Sequence, residues 1–388
     1  MREDQIVNPW RVKATGSGDK TESLNYIKVI EQFGCQYITK EIVEKLKLCT
    51  NIPVHHFITR NIVFAHRDFE KILDMVLKNS GNFYLYTGRG PSSQSMHVGH
   101  AIPFLFCKYL QDAFNVPLVI QITDDEKFLW KNLTYENSLF YAKENIKDII
   151  AFGFKPENTF IFTNTGFSHR FIENNLKIGK SVSFREAAKV FGFDENFSIS
   201  QIEFPAKEIS PCFSTSFKDI KFIKENSFCL IPAAIDQDPF FRLARDKANV
   251  INGRKPATVY SKFLPDLCGT DGKMSASDQN SAILLSDTKE NIKKKIMKYA
   301  FSGGRDTLKE HREFGGNLEV DIPYHYLTYF LEDDEKLKKI AHEYSTGAMT
   351  SGEIKKICVD VLANFVESYQ EKRKLVTDQC VSKFMSFE

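Results

Sequence analysis

Two histidines stand three positions apart in the stretch YLYTGRGPSSQSMHVGH, at residues 97 and 100. The stretch follows a short apolar segment and leads into a helical pattern, so His97 and His100 should lie one turn apart on the same helix face. Gly99 leaves room beside them for a flat ligand, and a helix N-terminus offers free N–H groups and positive potential that suit phosphate. The pattern predicts a nucleotide site in which both imidazoles donate to phosphate oxygens. The alternative is a helix start with a purely structural role.

A second segment, GTDGKMSASDQN, places a lysine and two serines in a glycine-flanked loop, at Lys273, Ser275 and Ser277. The lysine supplies a point charge and the hydroxyls supply hydrogen-bond donors, which together suit a triphosphate. Taken alone, the segment could equally be a surface turn. Because it follows the histidine pair across alternating strands and helices, the two segments together favour a nucleotide site.

Strand-like and helical patterns alternate from about residue 82 onward. The apolar runs of strand length are NFYLYTG, VPLVIQITDDE, TFIFT, FCLIPAAIDQD and PATVYSKF. Apolar runs that alternate with helices indicate a parallel sheet with crossover helices, which is the α/β class. Such sheets bind ligands at the carboxyl ends of their strands, and polar residues cluster at those ends here.

The chain divides into three predicted parts. Residues 1–80 form a small N-terminal α+β segment, residues 81–286 a parallel-sheet domain, and residues 287–376 a C-terminal all-helical domain. After about residue 287 the patterns are helical and the strand-like runs stop. A last helix, 377–388, is expected to pack back on the sheet domain.

Composition excludes several other classes of protein. Lys and Arg number 52 and Asp and Glu 50, so a net charge of +2 gives no global preference for nucleic acid. The eight cysteines show no CxxC spacing and no disulfide framework, which argues against a zinc site and for a reducing compartment. No apolar run reaches the ~18 residues of a membrane helix, and the first residues lack a signal pattern. We therefore expect a soluble, intracellular protein.

Five stretches together carry a family resemblance: YLYTGRGPSSQSMHVGH, QITDDEKFLW, AIDQDPFFR, KMSASDQN and FSGGRDT. They resemble the eukaryotic and archaeal tryptophanyl-tRNA synthetases, which are class I aminoacyl-tRNA synthetases, and the likeness runs from roughly residue 8 to 385. It implies a Rossmann-type catalytic domain, a helical anticodon-binding domain, an N-terminal segment that covers the active site, a homodimer and a cytoplasmic location. The implied substrates are L-tryptophan, ATP with Mg²⁺, and tRNA(Trp).

The resemblance also implies roles for individual residues, with no metal ligands among them. The catalytic candidates are His97, Gly99, His100, Lys273, Ser275 and Ser277. Candidates for ATP binding beyond these are Arg89, Met96, Asp236 and Met274. Candidates for tryptophan binding are Tyr86, Gln121, Glu126, Glu208 and Gln237, where Glu208 stands in place of a glutamine found in many relatives. Candidates for reading the anticodon are Arg305 and Asp306.

Structural alternatives stay open for several of these residues. Asp236 and Asp306 could each cap a following helix. Tyr86 could be an ordinary packed strand aromatic, and Glu126 a solvated acid with Asp124 and Asp125 as competitors for its role. Three other functions also remain: a tyrosyl-tRNA synthetase, another nucleotidyltransferase with an HxGH motif, and a non-catalytic relative that binds tRNA or acts in signalling.

Overall fold

The computed structural model describes residues 5–10, 12–13, 16–17, 20–21, 24–270, 274 and 281–386. Three of the catalytic candidates, Lys273, Ser275 and Ser277, therefore lie outside the described residues. Within the described residues, no helix is both long and apolar enough to cross a membrane.

Short strands near the N-terminus precede the longer strands of a central sheet. The strands are β1 (Ile6–Val7), β2 (Val12–Lys13), β3 (Gly16–Ser17), β4 (Lys20–Thr21), β5 (Gln36–Tyr37), β6 (Val63–Arg67), β7 (Phe83–Arg89), β8 (Leu118–Ile122), β9 (Thr159–Thr163), β10 (Phe228–Ala234) and β11 (Ala257–Ser261). The strands β1 and β2 pair with each other, as do β3 and β4.

Helices fill the connections and the whole C-terminal region. The α-helices are α1 (Tyr26–Phe33), α2 (Lys40–Cys49), α3 (His56–Thr59), α4 (Phe69–Leu77), α5 (Val98–Phe114), α6 (Glu126–Trp130), α7 (Tyr135–Ile150), α8 (Asn164–Phe167), α9 (Ile172–Ser181), α10 (Phe184–Phe191), α11 (Ile199–Ile209), α12 (Asp238–Lys247), α13 (Lys289–Tyr299), α14 (Leu308–Phe314), α15 (Ile322–Phe330), α16 (Asp334–Ser345), α17 (Ser351–Lys374) and α18 (Asp378–Met385).

The central sheet has the strand order β5-β6-β11-β10-β7-β8-β9. The five strands from β11 to β9 run parallel, which confirms the predicted α/β class. Two antiparallel strands, β6 and β5, extend one edge. Both precede residue 81, so the sheet continues across the predicted boundary between the first two parts. The domain limits themselves stay a prediction.

Alternating side chains of the strands point to opposite faces of the sheet and build two cores. Leu85 and Ile120 belong to one core, which also contains Tyr326 and Leu362 from the C-terminal helices. Tyr86 belongs to the other core, which is rich in phenylalanine and is closed by α9 to α12. The C-terminal helices thus share a continuous apolar core with one face of the sheet.

Charged contacts also join the C-terminal helices to α7. Arg373 on α17 pairs with Asp148 at 2.7 Å and with Glu144 at 3.0 Å. The last helix, α18, lies against β9 and α7, and its Asp378 is 3.1 Å from Lys147. No strand occurs among residues 281–386, in agreement with the helical pattern of this part of the sequence.

Candidate active site

A cavity of about 490 Å³ opens at the carboxyl ends of β7, β10 and β11. Its walls combine residues that are far apart in sequence: the loop after β7, the start of α5, the turn after β8, the segments after β10 and β11, and residues 9–10. This is the edge at which parallel sheets bind ligands. Ten of the described candidate residues line the cavity: Tyr86, Arg89, His97, Gly99, His100, Glu126, Glu208, Asp236, Gln237 and Met274.

The histidine pair lies where the sequence predicted it, at the first turn of α5. His97 is the residue that precedes the helix, and α5 begins at Val98. The two imidazole rings stack with their centres 3.4 Å apart. At Gly99 a Cβ atom would lie 3.1 Å from Nδ1 of His97, so any larger residue would crowd that ring. The glycine therefore keeps the helix start and its histidine side chains packed closely beside the cavity.

The segment that follows the KMSAS signature is hydrogen-bonded to the histidine segment. The backbone N–H of Val98 donates to Ile283 O at 2.9 Å, and that of Leu285 donates to Met96 O at 2.8 Å. Met274 is buried and also lines the cavity. Met96 is buried but does not line the cavity. It is connected to this region through the hydrogen bond to its backbone oxygen. Met274 and the segment at 283–285, distant in sequence from the histidine pair, thus lie close to it in space.

Arg89, the last residue of β7, brings a cation to the cavity wall. Its Nε donates to Asn145 Oδ1 at 3.1 Å, while its buried Nη2 has no hydrogen-bond partner among the described residues. Burial lowers the pKa of Arg89 to about 10, against the opposite influence of the carboxylates of Glu126 and Asp148. Asn145 also donates to Ser93 O at 2.9 Å. One buried amide thus orients the guanidinium and holds the loop that follows it.

Tyr86 reaches the cavity, whereas Gln121 lies behind it. The Tyr86 hydroxyl donates to Gln121 Oε1 and sits 3.1 Å from Glu208 O. The Gln121 side chain is fully buried, and its Nε2 donates to Asn164 Oδ1 at 2.7 Å. Gln121 does not line the cavity. Its amide therefore fixes the position of the Tyr86 hydroxyl.

Of the three acids in the TDDEKF turn, only Glu126 lines the cavity. Asp124 is buried and accepts hydrogen bonds from the backbone N–H and the hydroxyl of Thr165. Asp125 pairs with Lys207 at 2.8 Å. Glu126 accepts from the Thr123 hydroxyl at 3.0 Å. Its competitors are thus engaged in structural contacts.

Glu208 is a buried carboxyl group on the cavity wall. It is 9% exposed, and its Oε2 has no hydrogen-bond partner among the described residues. Burial, and then the negative charges of Glu126 and Asp125, raise the pKa of Glu208 to about 8. The group therefore carries its proton through most of the neutral range. A protonated carboxyl can donate a hydrogen bond as well as accept one.

Asp236 and Gln237 follow β10, and both line the cavity. Helix α12 begins at Asp238 with Gln237 as the preceding residue, so the structure does not support a capping role for Asp236. Asp238 faces away, where it pairs with Arg67 at 2.7 Å and accepts from the Tyr260 hydroxyl at 2.7 Å. Adjacent acids thus serve different purposes: Asp236 lines the cavity, and Asp238 ties α12 to the sheet.

Several wall residues were not singled out from the sequence. Trp10 stacks on Trp130 with ring centres 4.3 Å apart, and meets Phe240 edge-on at 5.8 Å. Trp10 and Pro9 line the cavity, whereas the covering role implied for residues 1–80 stays a prediction. Lys127 and Lys131 add positive charge to the same wall. The spacing of these lysines, one helical turn, can be read from the sequence. No local sequence pattern indicates that two distant tryptophans stack.

Arg305 and Asp306 lie in the helical region, outside the cavity. Both are exposed, and Arg305 Nε donates to Gly315 O at 3.0 Å. The suggestion that Asp306 caps the next helix is wrong, because the Thr307 side chain does so by accepting from Glu310 N at 3.2 Å. The Asp306 carboxylate therefore does not cap helix α14.

Comparison with known proteins places these features in context. The family model for tRNA synthetases class I (W and Y) matches residues 78–367. The chain is 53% identical over 382 residues to the tryptophan–tRNA ligase of Encephalitozoon cuniculi, and the alignment covers 98% of both chains. It is 50% identical over 387 residues to the human cytoplasmic tryptophan–tRNA ligase, with coverage of 99% of this chain and 81% of the human one.

Solved structures give the same result at the level of the fold. The tryptophanyl-tRNA synthetase from Encephalitozoon cuniculi bound to tryptophan matches with a TM-score of 0.87 and 52% identity, covering 94% of this chain and 98% of that one. The Plasmodium falciparum tryptophanyl-tRNA synthetase matches with a TM-score of 0.89 and 49% identity, covering 94% and 98% respectively.

Proposed function

The chain belongs to the class I tRNA synthetases of the tryptophan and tyrosine group, and on that premise we propose that it activates L-tryptophan with ATP and transfers it to tRNA(Trp). The observation that carries the proposal is the identity of about half of all residues, along nearly the whole chain, with tryptophan–tRNA ligases. This favours tryptophan over tyrosine as the amino acid. It also disfavours a short nucleotidyltransferase, which would lack the helical region.

The reaction has two steps, and both nucleophiles come from substrates. The tryptophan carboxylate attacks the α-phosphorus of ATP, and pyrophosphate leaves. The 2′-hydroxyl of the terminal ribose of the tRNA then attacks the activated carbonyl, and AMP leaves. The protein's part is to position the reactants and to stabilise developing negative charge. Positioning and charge stabilisation need cations and imidazoles, which the cavity wall provides. They do not need a protein nucleophile paired with a base.

In this proposal the histidine end of the cavity holds ATP. The imidazoles of His97 and His100 donate to phosphate oxygens, helped by the positive potential at the start of α5. Arg89 offers its unpaired Nη2 to the same charges, and Asp236 accepts from the ribose hydroxyls. The other proposed contacts to ATP are made by Met96, Gly99, Lys273, Met274, Ser275 and Ser277.

The part of the cavity lined by Tyr86, Glu126 and Glu208 holds tryptophan in this proposal. Tyr86, oriented by Gln121, lies beside the indole ring, and Gln237 faces the amino acid. Glu126 binds the ammonium group, and Glu208 completes this wall with a polar group that no described residue satisfies. An aromatic ring gains affinity from apolar burial. Discrimination against tyrosine comes instead from polar groups that the wrong side chain would leave unpaired.

Mg²⁺ accompanies the triphosphate in this proposal. Among the described residues, no group of three or more histidine, cysteine, aspartate or glutamate side chains is arranged to hold a metal ion. The residues present therefore do not fit a protein-bound ion, and the phosphates themselves are the natural ligands for Mg²⁺. We derive no step of the reaction from the metal.

The helical region, residues 287–376, is the proposed anticodon-binding domain, beside a catalytic domain of residues 81–286 and a covering segment of residues 1–80. Arg305 and Asp306 are exposed on a glycine-rich loop, where planar and carboxylate groups can read the edges of unstacked bases. Helix α13 adds exposed cations for the RNA backbone at Lys293, Lys294 and Lys298. We place α18 with the catalytic domain, because it lies against β9.

We further propose a homodimer in the cytoplasm. Helix α9 exposes 47% of Ile172 and 64% of Leu176, one turn apart, which is an apolar face suited to a subunit interface. The location follows the names of the mammalian relatives, which are cytoplasmic ligases.

Charging of tRNA tests the proposal. The protein should attach radiolabelled tryptophan, but not tyrosine, to unfractionated tRNA. An Arg305→Ala variant should raise the KM for tRNA about tenfold, and an exposed lysine on the next helix provides the matched control, Lys309→Ala. Attachment of tyrosine, or an equal effect of both substitutions, would contradict the proposed substrate or the proposed anticodon contact respectively.

A further inference from the structure

A second cavity, of about 550 Å³, lies beside the first and is not used by the proposed reaction. It is bounded by the start of α1, the segment after β11, and helices α15 and α16. Only Lys262 and Phe263 line both cavities. The two cavities therefore meet at Lys262 and Phe263, and the second lies between the sheet and the C-terminal helices.

The wall of the second cavity is mainly aromatic and aliphatic. Its aromatic members are Tyr26, Phe263, Tyr324 and Tyr329. Two of the tyrosine hydroxyls are occupied by the backbone of Phe263: the Tyr26 hydroxyl accepts from Phe263 N at 3.0 Å, and the Tyr329 hydroxyl donates to Phe263 O at 3.1 Å. These tyrosines therefore offer chiefly their rings to a ligand, and flat apolar molecules suit such a space.

Among the described residues that line the cavity, beside His325, are the cations Arg60 and Lys262, which differ in their surroundings. Arg60 is neutralised by Asp334 at 2.6 Å and donates to the carbonyl oxygens of Thr328 and Leu331. Lys262 has no ion-pair partner among the described residues. Its Nζ lies 5.6 Å from the ring centre of Tyr26 and 5.8 Å from that of Phe64. The ammonium group is thus held against aromatic rings without a counter-charge.

A half-buried cation without a counter-ion is an energetic cost to the free protein. Burial lowers the pKa of Lys262, which shows that the surroundings disfavour its charge. Among the described residues that line the cavity, the one carboxylate, Glu319, is exposed to solvent. An anionic ligand would supply the missing charge from inside the cavity, and its apolar part would meet the rings.

We propose that this second cavity is a binding site for small aromatic anions, in which Lys262 binds the acidic group and the rings of Tyr26, Phe263 and Tyr324 hold the flat portion. The site shares Lys262 and Phe263 with the wall of the catalytic cavity, but none of the described residues proposed to bind ATP or tryptophan lines it. Because its wall includes the C-terminal helices as well as the sheet, a bound molecule would contact both regions at once.

Fluorescence titration with 8-anilinonaphthalene-1-sulfonate tests the proposal on the full chain. The catalytic cavity is first filled with ATP and tryptophanamide, which lacks the carboxylate needed for reaction. We expect one saturable binding site to remain. Loss of that site when the catalytic cavity is filled would overturn the proposal.

Two substitutions and a neutral probe test the role of the charge. Lys262→Met should weaken binding of the sulfonate about tenfold, whereas Lys255→Met, at an exposed lysine outside both cavities, should leave it unchanged. N-phenyl-1-naphthylamine, which has the same rings without the sulfonate, should bind both variants and the wild type alike. Equal weakening of both probes by Lys262→Met, or no weakening of either, would contradict an anion site. Thermal unfolding of each variant shows whether it is folded.

Discussion

The catalytic cavity and the helical region differ in whether their buried polar side-chain atoms have hydrogen-bond partners. In the cavity, Arg89 Nη2, Glu208 Oε2 and Trp10 Nε1 are buried and have no hydrogen-bond partner among the described residues. In the helical region, the fully buried Asp321 carboxylate accepts from the Tyr344 hydroxyl at 2.7 Å and from two backbone N–H groups at 2.9 Å. Within residues 287–386, as far as the structure describes them, no buried side-chain nitrogen or oxygen lacks a partner.

This difference separates groups that stabilise the fold from groups that await a ligand. A buried polar atom without a partner costs about 1–3 kcal/mol, a cost that a ligand can offset on the cavity wall but not at Tyr109, Trp130 or Thr258, which lie outside it. In the cavity, we propose that the substrates supply the missing partners. In the helical region the partners are internal, and the exposed Arg305 and Asp306 are the residues proposed to contact the RNA. Substitutions in the two regions should therefore fail in different assays.

The largest expected effect comes from the histidine pair. His100→Ala should slow ATP–pyrophosphate exchange about 100-fold, because one donor to the developing phosphate charge is lost. The temperature of unfolding should change little. His169→Ala, at an exposed histidine outside the cavity, is the control. Exchange at the wild-type rate in His100→Ala would show that the pair is only a helix start.

The Asp321 network should show the reverse behaviour. Asp321→Ala should lower the free energy of unfolding by about 3 kcal/mol, since it leaves buried donors without their charged acceptor. Exchange at a temperature where the variant is folded should match the wild type. Urea unfolding gives the stability, and Asp360→Ala, at an exposed surface acid, should change it by less than about 0.5 kcal/mol. A folded Asp321 variant with slower exchange than the wild type would contradict the prediction that substitutions in the two regions affect different assays.

Trp10 tests the cover of the cavity. Trp10→Ala removes a stacked pair that contributes about 1 kcal/mol beyond its buried area. We expect kcat/KM for ATP in the exchange reaction to fall about tenfold, and Trp10→Phe to retain more activity because it keeps an aromatic ring over Trp130. Unchanged kinetics in Trp10→Ala would mean that the N-terminal segment covers the cavity without contributing to catalysis.

Glu208 gives an effect of a different kind, which appears in the pH dependence of stability besides its proposed part in tryptophan binding. Its pKa is raised from 4.5 to about 8 in the folded protein, so between these values the native state binds a proton that the unfolded state releases. This group therefore makes stability fall as pH rises from about 4.5 to 8, with no further change above that range.

Denaturant unfolding at several pH values measures this slope. Glu208→Gln keeps the shape of the side chain but does not titrate, so the stability of this variant should fall less steeply with pH than that of the wild type. Glu203→Gln, on the exposed face of the same helix, is the control. Identical slopes in the wild type and Glu208→Gln would show that the carboxyl does not retain its proton.

Local patterns in the sequence were enough to predict part of this arrangement. Strand ends and the start of α5 depend on neighbouring residues, so they could be predicted without tertiary information. The cap at Thr307 was also readable, because a threonine followed three residues later by Glu310 is a capping pattern. Reading it would have excluded the capping role considered for Asp306.

The remaining features depend on contacts between distant residues. The two-residue strand β5 gains its place only by pairing with β6. Trp10 meets Trp130 across the cavity, and Gln121 is turned toward Asn164 instead of the ligand. The high pKa of Glu208 arises from burial and from acids on another helix. A single sequence carries no periodic or local signal for such contacts.

ATP–pyrophosphate exchange without tRNA tests the central claim most directly, namely that the cavity alone selects and activates the amino acid. The account predicts exchange with tryptophan and not with tyrosine, and its loss in Lys273→Ala. Comparable exchange with tyrosine would contradict the proposed pocket. No exchange with either amino acid, or full exchange in Lys273→Ala, would contradict the proposed activation chemistry.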